Sequence, residues 1–177
     1  LNEKELRDLL YTAQLPNKGP FVIRYPRGKG VGAEWRDAEM KEIKIGKGVT
    51  LKEGTDIAVL TFGPLGNEAA NAIDELDEKE RGKVGLYNMR FVKPIDTQLL
   101  DEISLRYKKI LTVEDGVRTG GFGSAVLEYL SDKGCAIPVI RLGLPDSFIE
   151  HGTPAELYKL TGLDKDAIKE SICQNLK

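Results

Sequence analysis

Two arginines stand close together in the segment RYPRG, which runs from Arg24 to Gly28. They follow the apolar run Phe21 to Tyr25, whose composition predicts a strand. Ligands collect beyond the carboxyl ends of strands in open α/β sheets, and a guanidinium offers a planar fork to phosphate or carboxylate. Arg24 and Arg27 are therefore candidates for binding an anion. The alternative is that both form ordinary surface or interdomain salt bridges.

A second candidate is the loop EDGVRTGGFGS, which begins at Glu114 and contains four glycines. It follows a predicted strand and enters a predicted helix, where backbone N–H groups could hold an anion. The spacing matches no standard phosphate-binding motif, and Glu114 and Asp115 would repel a phosphate. Acid–base chemistry would require one of these carboxyl groups to have a raised pKa. We favour a role in packing or domain contact, with the two carboxylates solvated.

Few other side chains suggest chemistry. His151 is the only histidine and lies in the segment LPDSFIEHG together with Ser147, but no nucleophile-elbow pattern surrounds that serine. We expect His151 to contact a neighbouring domain or subunit. Trp35 is expected to pin a linker to a domain. Cys135 and Cys173 are expected to be reduced thiols of a cytoplasmic protein.

The composition narrows the class of protein that carries these residues. The chain has 177 residues, of which 41% are hydrophobic and 31% charged, and its formal net charge is -2. These values are typical of a globular protein and argue against a disordered one. The charge lacks the basic excess of a nucleic-acid binder, and no apolar run is long enough for a membrane span.

Strand-like and helix-like segments alternate through most of the chain, which favours a parallel sheet covered on both faces. The predicted fold class is α/β, a three-layer α/β/α sandwich with a mainly parallel sheet and one antiparallel strand. A hairpin formed by residues 45–51 and 56–62 is expected to supply the antiparallel strand. Capped helices are predicted after Pro64, Asp96, Thr153 and Asp164.

The start of the chain has a different character. Residues 2–14 predict a helix whose apolar face is formed by Leu6, Leu9, Leu10 and Ala13. One helix and one strand cannot bury their apolar faces alone. We therefore interpret residues 1–27 as the tail of a preceding domain, residues 28–44 as a linker, and residues 45–177 as the α/β/α domain.

Several blocks occur in a fixed order and extend over essentially the whole chain: GPFVIRYPRGKGVG, NMRFVKPID, LTVEDG, GGFGSAV and LGLPDSFIEHGT. This set closely resembles the C-terminal part of the 1-deoxy-D-xylulose-5-phosphate synthases, a branch of the transketolase-like thiamine diphosphate enzymes. The resemblance implies a transketolase C-terminal domain for residues 45–177. For residues 1–27 it implies the end of the domain that binds the cofactor's pyrimidine.

The resemblance also implies a function for the complete enzyme. It would be a cytoplasmic homodimer that condenses pyruvate with glyceraldehyde 3-phosphate, releases carbon dioxide, and uses thiamine diphosphate and Mg²⁺. Only Arg27 matches a functional residue of the family, one that holds the phosphate of glyceraldehyde 3-phosphate. No catalytic, cofactor-binding or metal-binding residue is expected in this chain, which alone should be inactive.

Other interpretations remain open. The chain could be the C-terminal domain of a transketolase or of a 2-oxoacid dehydrogenase β subunit. It could also be a stand-alone interaction or regulatory domain. The blocks around Arg27 and His151 favour the synthase.

Overall fold

A five-stranded sheet in the order β1-β3-β2-β4-β5 forms the centre of the computed structural model, which describes residues 1–26 and 28–176. The strands are β1 (Val49–Lys52), β2 (Ile57–Thr61), β3 (Val84–Asn88), β4 (Lys109–Val117) and β5 (Val139–Leu144). The helices are α1 (Glu3–Gln14), α2 (Leu65–Asp74), α3 (Glu78–Arg81), α4 (Thr97–Arg106), α5 (Phe122–Asp132), α6 (Pro154–Thr161) and α7 (Lys165–Asn175).

Helices cover both faces of this sheet. On one face, α2 and α7 pack against β2, β3 and β4 through buried aliphatic residues such as Ile73, Ile168 and Ile172. On the other face, α4 and α5 pack through Leu100 and Phe122. Strands β2, β3, β4 and β5 pair in parallel, and β1 is antiparallel. The predicted three-layer sandwich with one antiparallel strand is confirmed.

The predicted hairpin between residues 45–51 and 56–62 is wrong. Strand β1 pairs with β3, which lies between β1 and β2, so no hairpin forms. The connecting segment spans two strand spacings, about 10 Å, and crosses the start of β3. There the carbonyl of Lys83 accepts hydrogen bonds from the N–H groups of Thr55 and Asp56. A glycine is needed in this crossing, because a β-carbon at Gly54 would clash with the backbone of β3.

The N-terminal segment also differs from expectation. Residues 21–25 form no strand, because no neighbouring strand within the described residues supplies a ladder. Val22 is 96% exposed. The helix α1 does form from its Asn2 cap, but the two residues that it buries are polar, Asp8 and Thr12. Its predicted apolar face stays partly exposed, and Leu10 is exposed.

Local helix signals were reliable elsewhere. The side chains of Asp96 and Asp164 accept hydrogen bonds from the third backbone N–H of α4 and α7. Thr153 and Glu156 form the predicted capping box, with Pro154 at the first position of α6. These caps fix the ends of the elements from which the site is built.

Candidate functional site

Arg27, the one residue predicted to bind substrate, lies outside the described residues. Within the same segment, Arg24 lies beside the last residues of β4. The guanidinium of Arg24 is 3.7 Å from the carboxylate of Asp115, and its side chain is 63% exposed. Arg24 therefore forms the salt bridge that we weighed as the alternative, and it connects the segment to the α/β/α domain.

Asp115 has a second partner in α6. The hydroxyl of Tyr158 donates a hydrogen bond of 3.2 Å to Asp115 Oδ2. Burial together with the adjacent carboxylate raises the pKa of Tyr158 to about 12. The phenol consequently stays protonated at neutral pH, and Asp115 accepts from Tyr158 while it faces Arg24. This arrangement holds a chain segment in place.

Glu114 has a different role from the one expected, because its side chain is buried and not solvated. Its two carboxylate oxygens accept hydrogen bonds of 2.7 and 2.8 Å from the N–H groups of Phe122 and Gly123, at the start of α5. The residue at the cap position, Gly121, has no side chain that could do this. The group that these N–H groups bind is thus a carboxylate of the same chain.

The loop between Glu114 and α5 is held by its own polar contacts. Ser124 Oγ accepts hydrogen bonds from the Gly120 N–H and from the Arg141 guanidinium, and donates one to the Arg118 carbonyl. Gly120 has a φ of +72°, a conformation that favours glycine. The predicted packing role of this loop agrees with these contacts.

Sequence reasoning missed a polar cluster at the end of β3. Asn88 Nδ2 donates to both carboxylate oxygens of Glu5, at 2.9 and 3.1 Å, and Arg90 Nε donates to Glu5 Oε1 at 2.7 Å. The amino group of Leu1 also contacts Glu5. Glu5 thus joins α1 to the end of β3.

The polar face of α1 binds the backbone of the following segment. Three side chains of this face accept hydrogen bonds from backbone N–H groups of that segment: Glu3 from Gly32, Asp8 from Lys41 and Thr12 from Ile43. A fourth, Arg7, donates hydrogen bonds to the carbonyls of Trp35 and Glu39. The spacing 3, 7, 8 and 12 lies along one helical face. The irregular segment thus satisfies its polar groups through α1, and Trp35 takes part through its carbonyl.

The loop LPDSFIEHG carries no constellation of catalytic groups. Ser147 and His151 are both exposed. Phe148, between them, is fully exposed and borders an open cavity of about 450 Å³. The expectation that His151 contacts a further domain or subunit stays a prediction.

The described residues do not fit thiamine diphosphate and its metal ion. They contain no group of three or more His, Cys, Asp or Glu side chains that could hold a metal. The N–H groups at the start of α5, the natural place for a diphosphate, are occupied by Glu114.

The two cysteines, Cys135 and Cys173, are free. None of the described helices is both long and apolar enough to cross a membrane.

The class of protein follows from the fold and from a comparison with known families. Residues 46–168 match the model of the family "Transketolase, C-terminal domain", and the chain belongs to that family. It is similar, more narrowly, to the 1-deoxy-D-xylulose-5-phosphate synthases. It is 49% identical to the synthase of Bacteroides thetaiotaomicron over 97% of its length and 52% identical to that of Phocaeicola vulgatus over 94%.

These matches cover only part of each relative. The chain spans about a quarter of the length of these synthases, 26% in both cases. The resemblance to the C-terminal part of the synthases is confirmed. Among solved structures, a split-gene transketolase described as an inactive beta4 tetramer superposes with a TM-score of 0.69 at 33% identity, covering 76% of this chain and 44% of that one. A Pichia stipitis transketolase, at 20% identity and a TM-score of 0.53 over 74% of this chain and 18% of its own, shares the fold.

Proposed function

We propose that this chain acts as the C-terminal part of a synthase that condenses pyruvate with glyceraldehyde 3-phosphate to 1-deoxy-D-xylulose 5-phosphate, with loss of carbon dioxide. The observation that carries the proposal is the similarity to synthases of this name along nearly the whole chain, at 42–52% identity in the three examples from Bacteroides, Phocaeicola and Shouchella clausii. The transketolase alternative is less well supported, because the split-gene transketolase is 33% identical over 76% of the chain.

The proposal divides the chain into residues 1–27 as the end of a preceding domain, residues 28–44 as a linker, and residues 45–177 as the C-terminal domain. The partly exposed apolar face of α1 and the unpaired segment 21–25 support this division, since both would be buried against a sheet of their own domain. We expect a shortened chain of residues 45–177 to fold alone. Binding of the dye ANS with loss of near-UV dichroism in that chain would contradict the division.

Thiamine diphosphate and Mg²⁺ belong, in this proposal, to other parts of a cytoplasmic homodimer. The described residues offer no site for either, so no chemical step is assigned to them. We therefore expect the 177-residue chain to lack synthase activity and to bind no thiamine diphosphate in the presence of Mg²⁺. Titration calorimetry that gives saturable binding at micromolar cofactor would contradict this.

A chimeric enzyme tests the function directly. The chain would replace the matching quarter of the Bacteroides thetaiotaomicron synthase, and formation of 1-deoxy-D-xylulose 5-phosphate from the two substrates would be measured. At this level of identity we expect kcat within about tenfold of the parent enzyme. The matched control carries the C-terminal domain of the Pichia stipitis transketolase and should be inactive. A folded, dimeric chimera of this chain without activity would refute the proposal.

Within the chimera, Arg27 is proposed to bind the phosphate of glyceraldehyde 3-phosphate. A hydrogen bond to a charged group contributes about 1.5–3 kcal/mol, so Arg27→Ala should lower kcat/KM for this substrate by about tenfold or more. Arg27→Lys should recover only part of the loss, because it lacks the planar fork. Unphosphorylated glyceraldehyde is the control substrate. If Arg27→Ala slows both aldehydes equally, the phosphate assignment is wrong.

A further inference from the structure

A cluster of three polar side chains joins α1 to the carboxyl end of β3. Glu5 exposes 10% of its side chain and Arg90 exposes 24%, and Asn88 is buried. Three hydrogen bonds between 2.7 and 3.1 Å connect Asn88 and Arg90 to the Glu5 carboxylate. Charge-assisted hydrogen bonds of this length are stronger than those between neutral groups, and burial strengthens them further.

The backbone of Arg90 is held in an unusual conformation that serves this cluster. Its φ is +58°, in the left-handed region that non-glycine residues rarely adopt. The Arg90 N–H donates to Asn88 Oδ1, so one Asn88 side chain fixes the turn with its oxygen and Glu5 with its nitrogen. Strained residues persist where the surroundings over-determine them, and they concentrate at functional sites.

The topology explains why this position matters. In an open α/β sheet, ligands bind at the carboxyl edge, next to the strand where the order reverses. Here β2 is that strand, with β3 on one side and β4 on the other. The ends of β2 and β3 are connected by a hydrogen bond of 2.7 Å from the Met89 N–H to the Thr61 carbonyl. The helix α1 occupies this edge through Glu5.

We infer that Arg90 is a positioning residue. Together with Asn88 it locks Glu5 to the carboxyl edge of the C-terminal domain, and it thereby sets the position of the N-terminal segment, which leads on to Arg27. The inference rests on the proposed function, because it concerns the placement of a segment proposed to bind substrate. Arg90 touches neither substrate nor cofactor in this scheme.

The first experiment uses the 177-residue chain and requires no enzyme activity. Arg90→Gly removes the guanidinium while it relieves the left-handed strain, so the variant should still fold. We expect amide hydrogen exchange in α1 to become about tenfold faster, with no change in β2 or β4. The matched control is Arg106→Ala, which removes an exposed ion pair with Glu53 and should leave α1 unchanged. Equal exchange in α1 of Arg90→Gly and the wild type would refute the lock.

A second readout excludes a merely local effect. Glu5→Gln should accelerate exchange in α1 at least as much, because it also weakens the contacts of Glu5 with Asn88. The double variant should add little to Glu5→Gln alone, since the interaction between Arg90 and Glu5 is lost in both. Arg90→Lys should restore part of the protection through its charge. Independent, additive effects of Glu5→Gln and Arg90→Gly would overturn the inference.

The chimeric synthase then tests the consequence for substrate. Arg90→Gly should raise KM for glyceraldehyde 3-phosphate by about threefold or more, with little change in KM for pyruvate, because misplacing a binding group weakens the interaction that it makes. If exchange in α1 rises but both KM values stay unchanged, the role in positioning is wrong although the lock exists. If the unmutated chimera is inactive, the proposed function fails, while the exchange experiment still decides the lock.

Discussion

Glu114 gives the sharpest test of how this chain uses the anion-binding groups of its own fold. The carboxylate is 1% exposed and accepts the first free N–H groups of α5, those of Phe122 and Gly123. Among the residues that the structure describes, no other side chain accepts hydrogen bonds from these two N–H groups. We predict that Glu114→Gln destabilises the protein strongly, although it changes only one atom of the side chain.

The size of the effect follows from these two contacts. A hydrogen bond to a charged group contributes about 1.5–3 kcal/mol, and the helix dipole adds about 0.3–1 kcal/mol for a negative charge at this end. Glutamine keeps one acceptor oxygen but turns a donor amide toward the second N–H. We therefore expect the free energy of unfolding to fall by about 2–3 kcal/mol. For a chain of this size that corresponds to a decrease in Tm of about 5–10 °C. Glu114→Ala should cost about 4 kcal/mol, since it also leaves a cavity.

Urea unfolding followed by circular dichroism measures the difference. The matched control is the neighbouring carboxylate, Asp115→Asn, whose side chain is about one-third exposed. It should change the free energy of unfolding by less than about 1 kcal/mol. Inorganic phosphate should raise the Tm of Glu114→Ala, whose helix N-terminus is vacant, and leave the wild type unchanged. A Glu114→Gln protein within about 0.5 kcal/mol of the wild type would refute the reasoning.

Two further predictions concern the core and its dependence on pH. Burial raises the pKa of Asp96, but hydrogen bonds, including one from Lys47, outweigh it and lower that pKa. Asp96 therefore stabilises the fold fully above about pH 4, and this contribution is lost as the pH falls through the lowered pKa. Asp96→Asn should flatten the acid decline of the free energy of unfolding, and parallel curves for variant and wild type would contradict this. Separately, a β-carbon at Gly85 would lie 2.8 Å from Cζ of Tyr107. Gly85→Ala should cost about 1–3 kcal/mol in urea unfolding, whereas Gly82→Ala, whose β-carbon meets nothing nearer than 3.7 Å, should be neutral.

The sequence predicted what depends on near neighbours in the chain. The caps at Asn2, Asp96 and Thr153 formed as expected, because each needs only backbone N–H groups two or three residues away. The alternation of strands and helices predicted the layered architecture, because each element is also recognised from residues that are near one another in the chain. The pairing partner of β1 could not be predicted from near neighbours in the chain. The short connection from β1 to β2 can also cross the start of a third strand, β3, that lies between them.

Buried polar residues were the main failure of sequence reasoning. A search for an apolar face on α1 missed that Asp8 and Thr12 are its buried residues, since the surface facing them is backbone and not side chain. Glu114 was expected to be solvated because the sequence does not show that the loop folds back and brings the N–H groups of Phe122 and Gly123 to its carboxylate. Gly121 offered a partial signal, since a β-carbon at that position would occupy the space that the Glu114 carboxylate enters.

Groups that recognise anions are used here to hold carboxylates of the same chain. The α5 N-terminus takes Glu114, and Asn88 with Arg90 takes Glu5. A tethered carboxylate acts at an effective concentration of about millimolar or higher, so a free phosphate at micromolar concentration would not displace it. At these two places, the edge of the sheet where α/β proteins usually bind ligands holds a carboxylate of the same chain. In the proposed synthase this would make the C-terminal domain a support that positions a substrate-binding segment, while the chemistry takes place elsewhere.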